Sequence, residues 1–71
     1  MNSSAINRDE NILGGIPVFK GTRVPVKNLF DYIEGSLSIE DFLEGFPSVT
    51  REQAVEVLKL AEKLVDEDSI R

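Results

Sequence analysis

The stretch Gly14-Gly15-Ile16-Pro17-Val18-Phe19-Lys20-Gly21-Thr22-Arg23-Val24-Pro25-Val26 decides how this chain folds. It holds three of the chain's five glycines and two of its three prolines, so it must turn sharply rather than continue as helix. Val18-Phe19 and Arg23-Val24 suit a pleated surface, and Gly21 between them accepts a left-handed turn. The pattern predicts a hairpin pairing Pro17–Phe19 with Thr22–Val24 across Lys20-Gly21. Pro17 and Pro25 bracket it. Neither can donate to a ladder, so both belong at strand ends or on an edge. A lone two-stranded hairpin is marginal in water. It has to lean on helices or pair with a second chain, and Asn11-Ile12-Leu13 is a candidate for a further strand.

Beyond Val26 the pattern is helical. Val26, Leu29, Phe30 and Ile33 repeat at i, i+3, i+4, i+7 and predict a first helix over 26–34, with Gly35 as its left-handed C′ residue. Ser38 and Asp41 form a capping-box pair that starts a second helix over 39–44, with Ile39, Phe42 and Leu43 on its buried face. Gly45 ends it and Pro47 blocks its continuation. Thr50 and Gln53 make a second box, opening a third helix over 51–66. Ala54, Val57, Leu58, Ala61, Leu64 and Val65 form its core stripe. Val55 and Leu60 widen that stripe beyond what one small core needs, which points to a partner surface. Three short helices with a tight turn between the second and third have the outline of a helix-turn-helix. Residues 1–10 read as a flexible tail, 11–66 as one domain and 67–71 as a frayed end.

Seventy-one residues bury a limited core, and folds of this size usually need a staple or a second copy. With no cysteine there is no disulfide, and a reducing cytoplasm is the natural setting. With no histidine or cysteine, zinc and haem sites of the usual kinds are not expected. The start, Met1-Asn2-Ser3-Ser4-Ala5, does not read as a secretory signal, and no apolar run reaches membrane-spanning length. The net charge is −5, unevenly spread. Residues 1–27 carry four cations against two anions (+2), and residues 28–71 four cations against eleven anions (−7). A polyanion would meet the first part, and a basic protein the second.

The run Gly15-Ile16-Pro17-Val18-Phe19-Lys20-Gly21-Thr22-Arg23-Val24-Pro25-Val26, followed by Phe42 and Phe46-Pro47, resembles the DUF433 family. These are small prokaryotic proteins with a homeodomain-like helix-turn-helix, often grouped with VapB-type antitoxins. The pattern G-x-P-x-x-x-G-T-R-x-P-V fixes seven positions, and the resemblance covers roughly residues 11–60. It implies a mainly α fold, three helices behind a short β-hairpin. It also implies a toxin partner, typically a nuclease of PIN-domain type.

In a helix-turn-helix the start of the third helix meets base edges, so Arg51 could read guanine and Gln53 adenine. Glu52 and Glu56 on the outward face oppose phosphates, where a DNA reader normally carries several cations. Lys20, Arg23 and Lys27 are the better candidates for contact with a polyanion. Arg23 could instead pair with Asp31 or Glu34 and pin the hairpin down. A homodimer is expected from the small core, the hairpin edge and the wide third-helix stripe, with Val18, Phe19, Val55, Leu60 and Leu64 at partner or dimer contacts. Gly14-Gly15 lacks the Gly-Lys-Ser/Thr of a phosphate loop. The adjacent carboxylates Glu40/Asp41 and Asp66/Glu67 suggest no cleft, so no catalysis, cofactor, metal or small-molecule substrate is expected. Two functions follow. One is a DNA-associated, antitoxin-like regulator that touches DNA through the basic first part and a toxin through the acidic helices. The other is a dimeric protein–protein interaction module that never binds nucleic acid.

Overall fold

The computed structural model describes residues 5–68. Its centre is strand β2 (Val18–Phe19), which is paired on both edges. On one edge β1 (Ile6–Asn7) runs antiparallel, with Ile6 opposite Phe19 and Asn7 opposite Val18. The Lys20 N–H extends this contact by donating to the Ala5 carbonyl at 2.8 Å. On the other edge the chain returns through a tight turn, and Val18 bridges Pro25 in antiparallel register. Phe19 N–H donates to the Val24 carbonyl at 2.9 Å, and Val26 N–H to the Pro17 carbonyl at 3.0 Å. These two bonds straddle Pro25, so its missing N–H leaves no hole in the ladder.

The turn is closed by Thr22 N–H donating to the Phe19 carbonyl at 2.9 Å. Gly21 sits at φ +80°, the left-handed value that the third residue of a type II turn requires. The Thr22 hydroxyl donates to the Phe19 carbonyl at 2.8 Å and accepts from Val24 N–H at 3.0 Å. It is a turn cap, as its type suggested.

Two expectations about the first residues are corrected. The further strand is Ile6–Asn7 and not Asn11-Ile12-Leu13. Leu13, Gly14 and Gly15 all take left-handed φ (52°, 72°, 91°) and close one 3₁₀ turn that cannot lie extended beside a strand. The flexible tail drawn over 1–10 is also too long, because Ala5 is completely buried and Ile6 packs on the core. Residues 1–4 and 69–71, parts of the two expected ends, lie outside the described residues. At the other end the third helix continues to Asp68, past the predicted stop.

Three helices follow: α1 (Lys27–Glu34), α2 (Ile39–Gly45) and α3 (Arg51–Asp68). At the end of α1, Gly35 stays at φ −86° and Ser36 takes the left-handed position at φ +69°. Leu37 N–H then reaches back to the Tyr32 carbonyl at 2.9 Å, so the reversal expected at Gly35 falls one residue later. Both capping boxes form. Ser38 and Asp41 exchange bonds of 3.0 and 3.1 Å at α2, and Thr50 and Gln53 exchange bonds of 3.1 Å at α3. Each box satisfies two N–H groups left unpaired at the helix start, and losing such a cap typically costs about 1 kcal/mol.

Phe19, Phe42, Leu29 and Val18 are the largest fully buried side chains. Phe42 on α2 is the hub. Its ring lies 5.6 Å from Phe19, 5.5 Å from Tyr32 and 5.0 Å from Phe46 between centroids. Such pairs add roughly 0.5–1.5 kcal/mol each beyond area burial. The hub also explains Gly45. A β-carbon there would stand 3.0 Å from the Tyr32 hydroxyl, so that side chain would have to give by a few tenths of an ångström. On α3, Ala54 and Val57 close the core. No described helix is long and apolar enough to cross a membrane.

Open space surrounds the position of a Gly21 side chain, so any cost of replacing it comes from the backbone. Gly21→Val should destabilise the domain by about 1–3 kcal/mol, lowering Tm by on the order of 5–15 °C. Gly21→Asn, a residue that tolerates left-handed φ, should lose far less. Thermal melts followed by circular dichroism check this, and equal Tm values for the valine variant and the wild type would contradict the turn.

Candidate functional site

α2, the turn Phe46–Thr50 and α3 make the helix-turn-helix unit, and the outward face of α3 is where such a unit would meet a ligand. Arg51, Glu52, Val55, Glu56 and Lys59 line a shallow groove of about 430 Å³ on that face. Two cations are balanced there by two acids. The groove is therefore electrically neutral, unlike a surface built to displace counterions from DNA.

The two expected base-reading residues are committed elsewhere. The Arg51 guanidinium pairs with the Glu40 carboxylate of α2 at 2.8 Å. Both groups are more than half exposed, so the pair adds little stability, but it ties the cation to a neighbouring acid. The hydrogen bond from Arg51 holds the Glu40 carboxyl below the usual glutamate range, helped by a backbone hydrogen bond and by the charge of Arg51. The Gln53 side chain is used at both ends. Its Oε1 accepts from Thr50 N–H at 3.1 Å, and its Nε2 donates to the Lys20 carbonyl at 2.9 Å. This second bond joins residues 33 apart and fastens the β-turn to the start of α3.

The remaining cations divide. Lys27 contacts both oxygens of Asp31 at 3.0 and 2.9 Å, and that hydrogen bond raises its pKa. Asp31 thus goes to Lys27, and the pairing of Arg23 with Asp31 or Glu34 expected for the hairpin does not form. Lys20 and Arg23 are exposed, and their side chains have no partner among the described residues. The structure brings the Lys20 turn to the start of α3, where Arg51 and Gln53 stand.

The expected partner contacts also separate. Val18 and Phe19 are fully buried in the core and cannot meet another molecule without unfolding, which corrects their assignment. The reason is the second edge of β2, which β1 covers. Val55 and Leu60 are half-buried. Leu64 is 56% exposed, and Val65 beside it is 58% exposed. Sequence reasoning placed Val65 in the core stripe, and it does lie on that face. What the stripe does not reveal is where the rest of the domain stops covering the helix. Glu40 as the partner of Arg51 was missed as well, since the two are joined only by how α2 and α3 pack.

The family pattern described as "Protein of unknown function (DUF433)" matches residues 6–61. The chain belongs to the DUF433 family. The match begins at Ile6, which agrees with β1 being part of the domain. A relative is the uncharacterized protein y4eO of Sinorhizobium fredii (strain NBRC 101917 / NGR234), 40% identical over 48 residues. Those residues are 68% of this chain and 22% of y4eO, so this DUF433 chain spans about a fifth of that protein's length. No solved structure matches this chain.

Because the folded pKa of Glu40 is depressed, the pair with Arg51 contributes above the ordinary glutamate range and is lost as pH falls through the lowered value. In an NMR titration Glu40 should protonate at lower pH than a free glutamate. Arg51→Gln should move its midpoint back up, and so should added salt. A Glu40 midpoint unaffected by Arg51→Gln would contradict the pairing.

Proposed function

We propose that this domain is an antitoxin-like docking module that engages a basic partner protein through its acidic helices and does not read base edges with α3. One observation carries the reading. Arg51 and Gln53, the side chains placed to read bases, are both engaged within the domain, while Glu52 stays exposed beside them. A helix that offers phosphates a neutral groove gains little from counterion release. The net −7 over residues 28–71 draws in a basic surface instead. The groove of a nuclease toxin of PIN-domain type, the partner implied by the resemblance to antitoxins, is such a surface. A reducing cytoplasm suits a chain without cysteine.

A second reading keeps a lesser DNA contact. Lys20 and Arg23 are exposed and unpaired among the described residues, and the Gln53 bond holds their turn at the start of α3. Two cations per chain give non-specific binding with shallow salt dependence.

Two assays separate the readings. Co-expression with the neighbouring gene's product should yield a complex that added salt weakens. If no complex forms and no toxicity is relieved, the antitoxin part fails. With a labelled DNA duplex, log K against log salt should slope no more steeply than about −2 per chain, the value for two neutralised phosphates. A steeper slope that collapses in Arg51→Ala would restore base readout by α3.

A further inference from the structure

The face of α3 that closes the core does not end where the core ends. Ala54 and Val57 lie on it at 0% and 3% exposure. Ala61, Leu64 and Val65 continue it at helical spacing, yet Leu64 and Val65 are more than half exposed. We propose that this distal strip, Ala61, Leu64 and Val65 with Leu60 on its edge, is a docking site for a basic amphipathic helix of a partner protein. The proposal rests on the partner-binding reading above and names the surface and the chemistry that would recognise it.

Charge decides the occupant. Residues 60–68 carry four anions and one cation, a net −3 over nine residues. Glu62 lies one turn before Val65 and borders the strip, and Asp66 follows Val65 further round the helix, both of them exposed. A second copy would set −3 against −3 beside the same apolar side chains. An anionic lipid surface or a nucleic acid would meet the same repulsion. A helix with leucines on one face and lysines along its edges satisfies both features, the apolar face covering Leu64 and Val65 and the ammonium groups lying toward Glu62 and the acidic end of α3. Area agrees. The two side chains expose on the order of 200 Å², against roughly 800 Å² per partner in a stable interface. That is too little to hold two acidic copies together, and enough for a reversible contact strengthened by charge.

The probe is a fluorescein-labelled amphipathic peptide of leucine and lysine at helix spacing, with a twin carrying glutamate for lysine. Binding to the full chain is read by fluorescence anisotropy at low and moderate salt. The lysine peptide should bind, more weakly as salt rises, and the glutamate twin should not. Leu64→Asn with Val65→Asn leaves the charge unchanged and should weaken binding at least tenfold, circular dichroism confirming the fold. Glu62→Gln with Asp66→Asn keeps the strip and should weaken binding while flattening its salt dependence. Unchanged affinity in either double variant, equal binding of the two peptides, or no binding of the lysine peptide would overturn the proposal. So would sedimentation showing that the wild type self-associates through Leu64 and Val65. A natural partner held equally by the wild type and by the asparagine variant would overturn the strip while leaving the partner-binding reading in place.

Discussion

Phe19 sits where the paired strand meets the helical core. Both edges of its two-residue strand are occupied, by Ile6–Asn7 on one side and by the returning Val24-Pro25 on the other. Its ring then faces Phe42 of α2 at 5.6 Å, and Phe42 in turn gathers Tyr32 and Phe46. A strand this short has almost no stability of its own. It persists because its backbone groups are satisfied by neighbours and its Phe19 side chain is buried in the core against Phe42. The tightness of the Phe19–Thr22 turn follows. It needs glycine at the one left-handed position and a hydroxyl that closes the loop from inside.

That same turn settles what α3 has available for a ligand. Gln53 spends its acceptor on the helix cap and its donor on the Lys20 carbonyl, so the bond that joins the β-turn to the third helix removes a base-reading side chain. Arg51 is drawn to Glu40 by the packing of α2 beside α3. What remains outward is a balanced groove and, further along, an acidic helix end with two uncovered aliphatic side chains. A helix-turn-helix shape is thus combined with the neutral groove and acidic helix end on which the proposal of a basic protein partner rests. Shape and use are separable in this way, because function lives in the residues grafted on a fold.

Much of the architecture was legible in the sequence. The apolar spacing of Leu29, Phe42, Ala54 and Val57 gave the helices their buried faces, and Ser38/Asp41 and Thr50/Gln53 marked two helix starts. These are local signals, set by neighbours a few residues away. The misreadings share the opposite character. Pairing of Ile6–Asn7 with Val18–Phe19 depends on a left-handed Leu13 turn that no propensity anticipates in a leucine. The burial of Val18 and Phe19, the capture of Arg51 by Glu40 and the exposure of Val65 all arise from how distant segments meet. At the candidate site the residue types were legible, but whether each was free to act was not.

The most direct test is native-state hydrogen exchange at the strand itself. The amides of Phe19, bonded to Val24, and of Lys20, bonded to Ala5, should be protected as strongly as those of Ala54 and Val57 in α3, because all four should open only when the whole domain unfolds. Exchange of the Phe19 and Lys20 amides at loop-like rates, with the α3 amides still protected, would show that the helices stand without the strand and would contradict its place at the centre of the fold.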